Sequence, residues 1–204
     1  MHSKAHDVGP PTLLEALRTG TALLHVALEQ RLPFFSERLD AHWYGRLLQA
    51  YYGFYRPIEA SLYDNALIPE GFDSAMRLKT PTLVDDLHAL GLDNLAIDAL
   101  PRCAELPVSD TAAACLGALY VLEGATLGGQ VLRREMAQRL GLDADNGGAF
   151  LNVYGAETGR RWKDFLDYLG RLPLDADAKQ RAVDAACSTF SCFEQWLDGQ
   201  EVLL

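Results

Sequence analysis

The chain is poor in the residues that staple small secreted folds or build dedicated metal sites. Its four cysteines, Cys103, Cys115, Cys187 and Cys192, form no C-x-x-C pair. Lying mostly inside helical patterns, they read as buried thiols of a reducing compartment rather than as disulfides or zinc ligands. The five histidines include no H-x-x-x-H or E-x-x-H pair, so the ligand spacings of zinc hydrolases and carboxylate di-iron proteins are missing. Positive charge is scarce as well. Against 28 Asp and Glu stand 18 Lys and Arg, and a formal net charge of −10 disfavours nucleic acid and anionic membranes as partners. No uninterrupted apolar run reaches the length of about 18 residues that a spanning helix needs. Met1–Pro11 is a polar, flexible lead without the apolar core of a signal peptide, so a cytoplasmic location is expected. Segments of period-2 alternation are almost absent, which argues against a sheet-based fold.

What remains is helical periodicity. The 204 residues suffice for one substantial core, and residues 12–204 are expected to form a single all-α domain, a helical bundle. Thr12 can cap a first helix running to about Leu32, before Pro33, with Leu13, Leu17, Leu24 and Leu28 as its stripe. A second helix is expected from Asp40 to about Asp64, kinked or interrupted at Pro57. A short helix is expected over Gly71–Lys79, another from Pro81 to a stop at Gly91, and a further short one with a connector over Asp93–Pro107. Ser109 or Asp110 can cap a long apolar helix ending near Leu140–Gly141. Phe150–Tyr154 is short and ambiguous. Two more helices are expected over about Ala156–Leu172 and Asp175–Leu197.

The long helix carries Gly117, Gly124, Gly128 and Gly129. Each glycine costs roughly 0.8–1 kcal/mol relative to Ala, so the four together cost about 3–4 kcal/mol. Gly117, Gly124 and Gly128 fall on one face, with Gly129 beside it. Two readings stay open for Gly124-x-x-x-Gly128. It can be a close helix–helix crossing, or a bare backbone against which something flat is laid; the adjacent pair Gly128–Gly129 favours the second. Among the histidines, His25 alone sits in a well-defined apolar helix with a cation on the same face, although a lone histidine at a helix edge is commonly structural. Arg18 lies seven residues earlier, about 10 Å away along the axis. This pair suits one axial ligand to iron in a flat cofactor whose carboxylates meet an arginine.

Two segments, L-R-T-G-T-A-L-L-H-V-A-L-E at Leu17–Glu29 and Y-V-L-E-G-A-T-L-G-G-Q-V-L at Tyr120–Leu132, resemble the haem oxygenase family. With the helix order around them, the resemblance covers roughly Thr12 to Leu197. It implies that His25 is the iron ligand on the proximal side of haem b, with Glu29 near its imidazole. Gly124 and Gly128 would lie over the iron on the distal side, with Gly129 and Thr126 of the same motif among the haem contacts. By the same resemblance Tyr55 is a distal-pocket tyrosine, while Arg18 and Lys163 are basic partners of the propionates. Arg160, three residues before Lys163, shares its face. This chain departs from many members at Ala125, where they carry an Asp that orders proton-delivering water, and at Ala22, where some carry Lys.

The function implied is cleavage of haem, both cofactor and substrate, to biliverdin with release of CO and Fe²⁺. It would consume O₂ and electrons from an external donor such as a ferredoxin or a reductase. The Y-G-A-E-T-G-R-R-W-K stretch is closest in flavour to bacterial enzymes that pass biliverdin to a phytochrome. The alternative is a non-catalytic haem carrier or sensor, for which Ala125 speaks. A related fold acting on another small molecule, as thiaminase-type relatives do, is opposed by His25 and the glycines. A plain helical scaffold leaves the cost of the glycines unexplained.

Overall fold

Side chains satisfy the open ends of most of the long helices in the computed structural model, which describes residues 11–63 and 67–204. The expected lead before Pro11 and the expected helix end at Asp64 lie outside the described residues. Helix α1 spans Leu13–Arg31. Thr12 and Glu15 form a reciprocal capping box at its start, each side chain accepting from the other's backbone N–H at 3.2 and 2.8 Å. Helix α2 spans Ala41–Tyr63 and continues unbroken through Pro57. Proline removes the bond to the carbonyl four residues earlier, which here belongs to Gly53. That carbonyl instead accepts the N–H of Cys103 at 2.9 Å, so the expected interruption has no orphan to drive it.

Helices α3 (Thr80–Ala89) and α4 (Asn94–Ala99) follow, with Gly91 in the left-handed conformation between them. Instead of the helix expected over Gly71–Lys79 there is only a short 3-10 turn at Ala75–Arg77. Helix α5 spans Ala112–Leu140 and is capped by Thr111, one residue later than expected, whose hydroxyl accepts from Ala114 N at 3.2 Å. It stops at Gly141 with φ 69°. Helix α6 (Thr158–Arg171) and helix α7 (Ala176–Gly199, capped by Asp175) complete the fold; no strand occurs among the described residues.

α7 lies along α5 and α1, and α2 packs on α3 and α7. By length and composition α5 could cross a membrane, contrary to the expectation of no such segment, but 61% of its most apolar stretch is buried inside the bundle. Its glycines divide by task. A Cβ at Gly117 would lie 2.0 Å from the Ala182 carbonyl oxygen, so this glycine lets α5 and α7 touch backbone to backbone. At Gly129 a Cβ would meet the Leu151 oxygen at 2.6 Å, on a 3-10 turn at Phe150–Asn152. That turn is held by the buried Asp86, which accepts from the N–H groups of Ala149 (2.8 Å) and Phe150 (2.7 Å). Burial raises the Asp86 pKa, and those two donors restrain the shift.

Candidate active site

Gly124 and Gly128 do something else. A Cβ at Gly128 would meet nothing within 4 Å, and one at Gly124 only the Trp162 ring at 3.6 Å. Both line a cavity of about 700 Å³ between α1 and α5. This is the size of a small-molecule pocket, typically about 300–1,000 Å³. A helix-to-helix crossing through Gly128 is therefore not what the structure shows. The bare turn of α5 forms one wall of a hollow.

α1 supplies the opposite wall. The His25 side chain is 56% exposed because it opens into this space, with Phe190 edge-on to its ring at 5.9 Å between centroids. Its Nδ1 lies 3.4 Å from the Glu29 carboxylate, one turn on. A carboxylate on the Nδ1 side leaves the Nε2 side of the ring open to a metal. Arg18 lines the same hollow two turns earlier, beside the Tyr120 hydroxyl. Burial raises the Tyr120 pKa, and the Arg18 charge with hydrogen bonds to Thr21 and Arg18 holds the rise back.

Aromatic rings close the inner end. Tyr55 is 2% exposed, stacked on Tyr51 and edge-on to Phe150 and Phe193. Burial, then the neighbouring Tyr51, Glu59 and Glu123, push its pKa well above the ordinary tyrosine value, so the phenol stays protonated. Thr126 also lines the hollow, its hydroxyl bound back to the Glu123 carbonyl at 2.7 Å.

The structure thus gathers His25, Glu29, Arg18, Tyr55, Gly124, Thr126, Gly128 and Gly129 around one space. It does not bring Lys163 or Arg160 there. α6 turns its apolar stripe of Trp162, Phe165 and Leu169 inward, which leaves those two cations on the outer face. Lys163 is 73% exposed and paired with Asp167 at 2.5 Å, and Arg160 is paired with Glu157 and Asp164. Trp162 and Lys79 line the hollow and were not expected from the sequence. Glu123, buried behind it, could have been found: it is the one charged residue between Thr111 and Leu132.

The family profile described as heme oxygenase matches residues 11–199. A curated relative named heme oxygenase, from Xanthomonas campestris pv. campestris (strain 8004), is 33% identical over 162 residues, covering 78% of this chain and 91% of its own. The fold is that of heme oxygenase from Leptospira interrogans, with a TM-score of 0.75 at 21% identity, covering 93% of this chain and 100% of the other. Heme oxygenase-1 from Synechocystis sp. PCC 6803, solved in complex with heme, superposes with a TM-score of 0.78 at 19% identity, covering 94% and 93%.

Proposed function

The chain belongs to the haem oxygenase family, and from that premise we propose that this enzyme opens haem to biliverdin with release of CO and Fe²⁺, using O₂ and electrons from an external donor. The observation that carries the reading is the single hollow with an oriented imidazole on one wall and a helix turn bare of side chains on the other.

The residues fit the group. A flat macrocycle would fit the space that a side chain at Gly128 would take, and the Nε2 of His25 would hold its iron. Bound haem supplies the iron at which O₂ is reduced and the carbon skeleton that is cut. Glu29 stands 3.4 Å from Nδ1 of His25, and an imidazole ligand lacks the strong electron push of a thiolate. Gly124 and Gly128 keep side-chain acids away from the reacting face, which disfavours peroxidase-type cleavage. Their bare backbone would also bound the space left over that face. Tyr55 stays protonated and can hold ordered water at the inner end. Arg18 is the side chain positioned to bind a propionate, an interaction arginine makes bidentately. A donor of ferredoxin or reductase type, a phytochrome-type acceptor of the pigment and a cytoplasmic location belong to the same proposal and rest on the sequence resemblance.

The test is direct. Purified protein receives haem, then ascorbate under O₂, and the Soret band is followed. Its loss with growth of a biliverdin spectrum is the expected result. Stable haem binding without turnover would leave a carrier or sensor.

A further inference from the structure

The two ends of the haem cavity differ in what they offer a bound molecule. At one end Arg18 stands beside Tyr120, and the Trp162 ring lies 5.7 Å from the Tyr120 ring between centroids. At the other, Leu32, Phe34, Phe35, Val131 and Leu132 present only apolar side chains. Haem carries two propionates, and the fork of one arginine matches one carboxylate. No second cation is at hand among the described residues. Lys79 lines the cavity, but it is 1% exposed, with its ammonium paired to Glu123 and donating to the Arg77 carbonyl at 2.8 Å. Lys163 and Arg160 are paired on the outer face. One propionate is left to a neutral donor.

Most neutral donors on the lining are already engaged. The hydroxyls of Thr21, Thr126 and Thr189 each donate to a carbonyl of their own helix at 2.7 Å, and that of Tyr120 is held by Thr21 and Arg18. Tyr51 and Tyr55 stand at the closed inner end, where Glu59 and Glu123 behind Tyr55 would repel a carboxylate. Trp162 is different. Of the three tryptophans, Trp43 and Trp196 donate their indole N–H to the carbonyls of Val202 (3.1 Å) and Ala50 (2.7 Å), whereas that of Trp162 has no acceptor among the described residues. A half-buried tryptophan N–H usually finds one. Nor is this nitrogen sealed from solvent. The six-membered edge of the ring lies against the bare turn of α5, 3.6 Å from where a Cβ on Gly124 would stand, so the ring belongs to the cavity wall. Trp162 precedes Lys163 by one residue, a turn of about 100° around α6 that brings it inward where Lys163 faces out.

Resting on the haem oxygenase reading, we propose that the Trp162 indole N–H binds the propionate that Arg18 does not hold. Arg18 from α1 and Trp162 from α6 then anchor the two carboxylates from different helices at one end of the cavity. A neutral N–H bound to a carboxylate is stronger than a bond between two neutral groups. The indole carries no charge, so unlike a lysine it needs no carboxylate partner of its own in the haem-free protein. The bond forms only with the ligand in place, and it depends on the ligand's carboxylate being charged.

Haem and its dimethyl ester, whose carboxyl groups are neutral, separate this bond from packing. An imidazole-ligated haem spectrum in the wild type comes first, and its absence would overturn the haem reading and the anchor with it. Trp162→Phe keeps an aromatic ring and loses the N–H. It should keep that spectrum, bind haem about tenfold more weakly, and bind the dimethyl ester less than about threefold more weakly. Equal losses with both porphyrins would make Trp162 a packing residue and overturn the anchor, as would an unchanged haem affinity. Lys163→Ala should bind haem as the wild type does, and a tenfold loss there would give the anchor to Lys163 instead. Should Trp162→Phe not fold, the wild type decides. With isotope-labelled tryptophan and diamagnetic zinc protoporphyrin, one indole N–H resonance should move downfield on binding, and it should move less with the zinc dimethyl ester. Identical shifts with acid and ester would overturn the anchor.

Discussion

Substituting two glycines of one helix by alanine should change stability in opposite directions. At Gly128 the added Cβ meets nothing within 4 Å, so Gly128→Ala gains the helix propensity of about 0.8–1 kcal/mol with no clash to set against it. In a protein of 204 residues that gain corresponds to a rise in Tm of about 2–4 °C. At Gly117 the Cβ would lie 2.0 Å from the Ala182 carbonyl oxygen, where an ordinary contact needs 3.4 Å or more. The obstacle is backbone, so α5 and α7 must separate by more than an ångström. Overpacking costs about 1–3 kcal/mol and should sit at its upper end here. Subtracting the propensity gain of about 1 kcal/mol leaves Gly117→Ala less stable by about 2 kcal/mol, so the two variants should differ by about 3 kcal/mol. Urea and thermal unfolding of the haem-free protein measure this. The same Gly128 variants should lose haem affinity, and Gly128→Leu should lose biliverdin formation, while both fold. Equal responses at the two positions, or a stabilised Gly128→Leu with full turnover, would refute the division of labour among the glycines.

His25→Ala should abolish the imidazole-ligated haem spectrum, and added imidazole should restore it; an unaltered spectrum would move the ligand elsewhere. Glu29→Ala should weaken haem affinity by about tenfold, the low end for such orienting partners, because both side chains are more than half exposed. Arg18→Ala should change the ratio of biliverdin isomers, since a rotation preference of about 1.4 kcal/mol is a tenfold product ratio. Lys163→Ala should leave that ratio unchanged, as its ammonium is engaged outside the cavity; chromatography of the products reads both. Tyr55→Phe should slow turnover by less than total loss if several waters share proton delivery, measured as the rate of biliverdin formation.

The helices were legible because their periodicity and capping residues are local: Thr12 with Glu15, Asp175, and Gly141 each act within a few residues of the chain. His25 and Glu29 were legible for the same reason, being one turn apart on one helix. The unbroken course of α2 was not. Pro57 disrupts a helix unless its freed carbonyl finds a donor, and the donor, Cys103, is 50 residues from Gly53. The glycines of α5 look alike in sequence, yet Gly117 and Gly129 are needed for contact with Ala182 and Leu151 while Gly124 and Gly128 meet no backbone of another element, a distinction set by what packs opposite. Likewise a cation on α6 reads as a propionate partner until the inward turn of Trp162 and Phe165 puts Lys163 and Arg160 outside. Local spacing thus carried the elements and the pairing of His25 with Glu29. The cavity, its anchors and the buried pairing of Lys79 with Glu123 depend on residues far apart in the chain, whose burial and electrostatics exist only once the helices are packed.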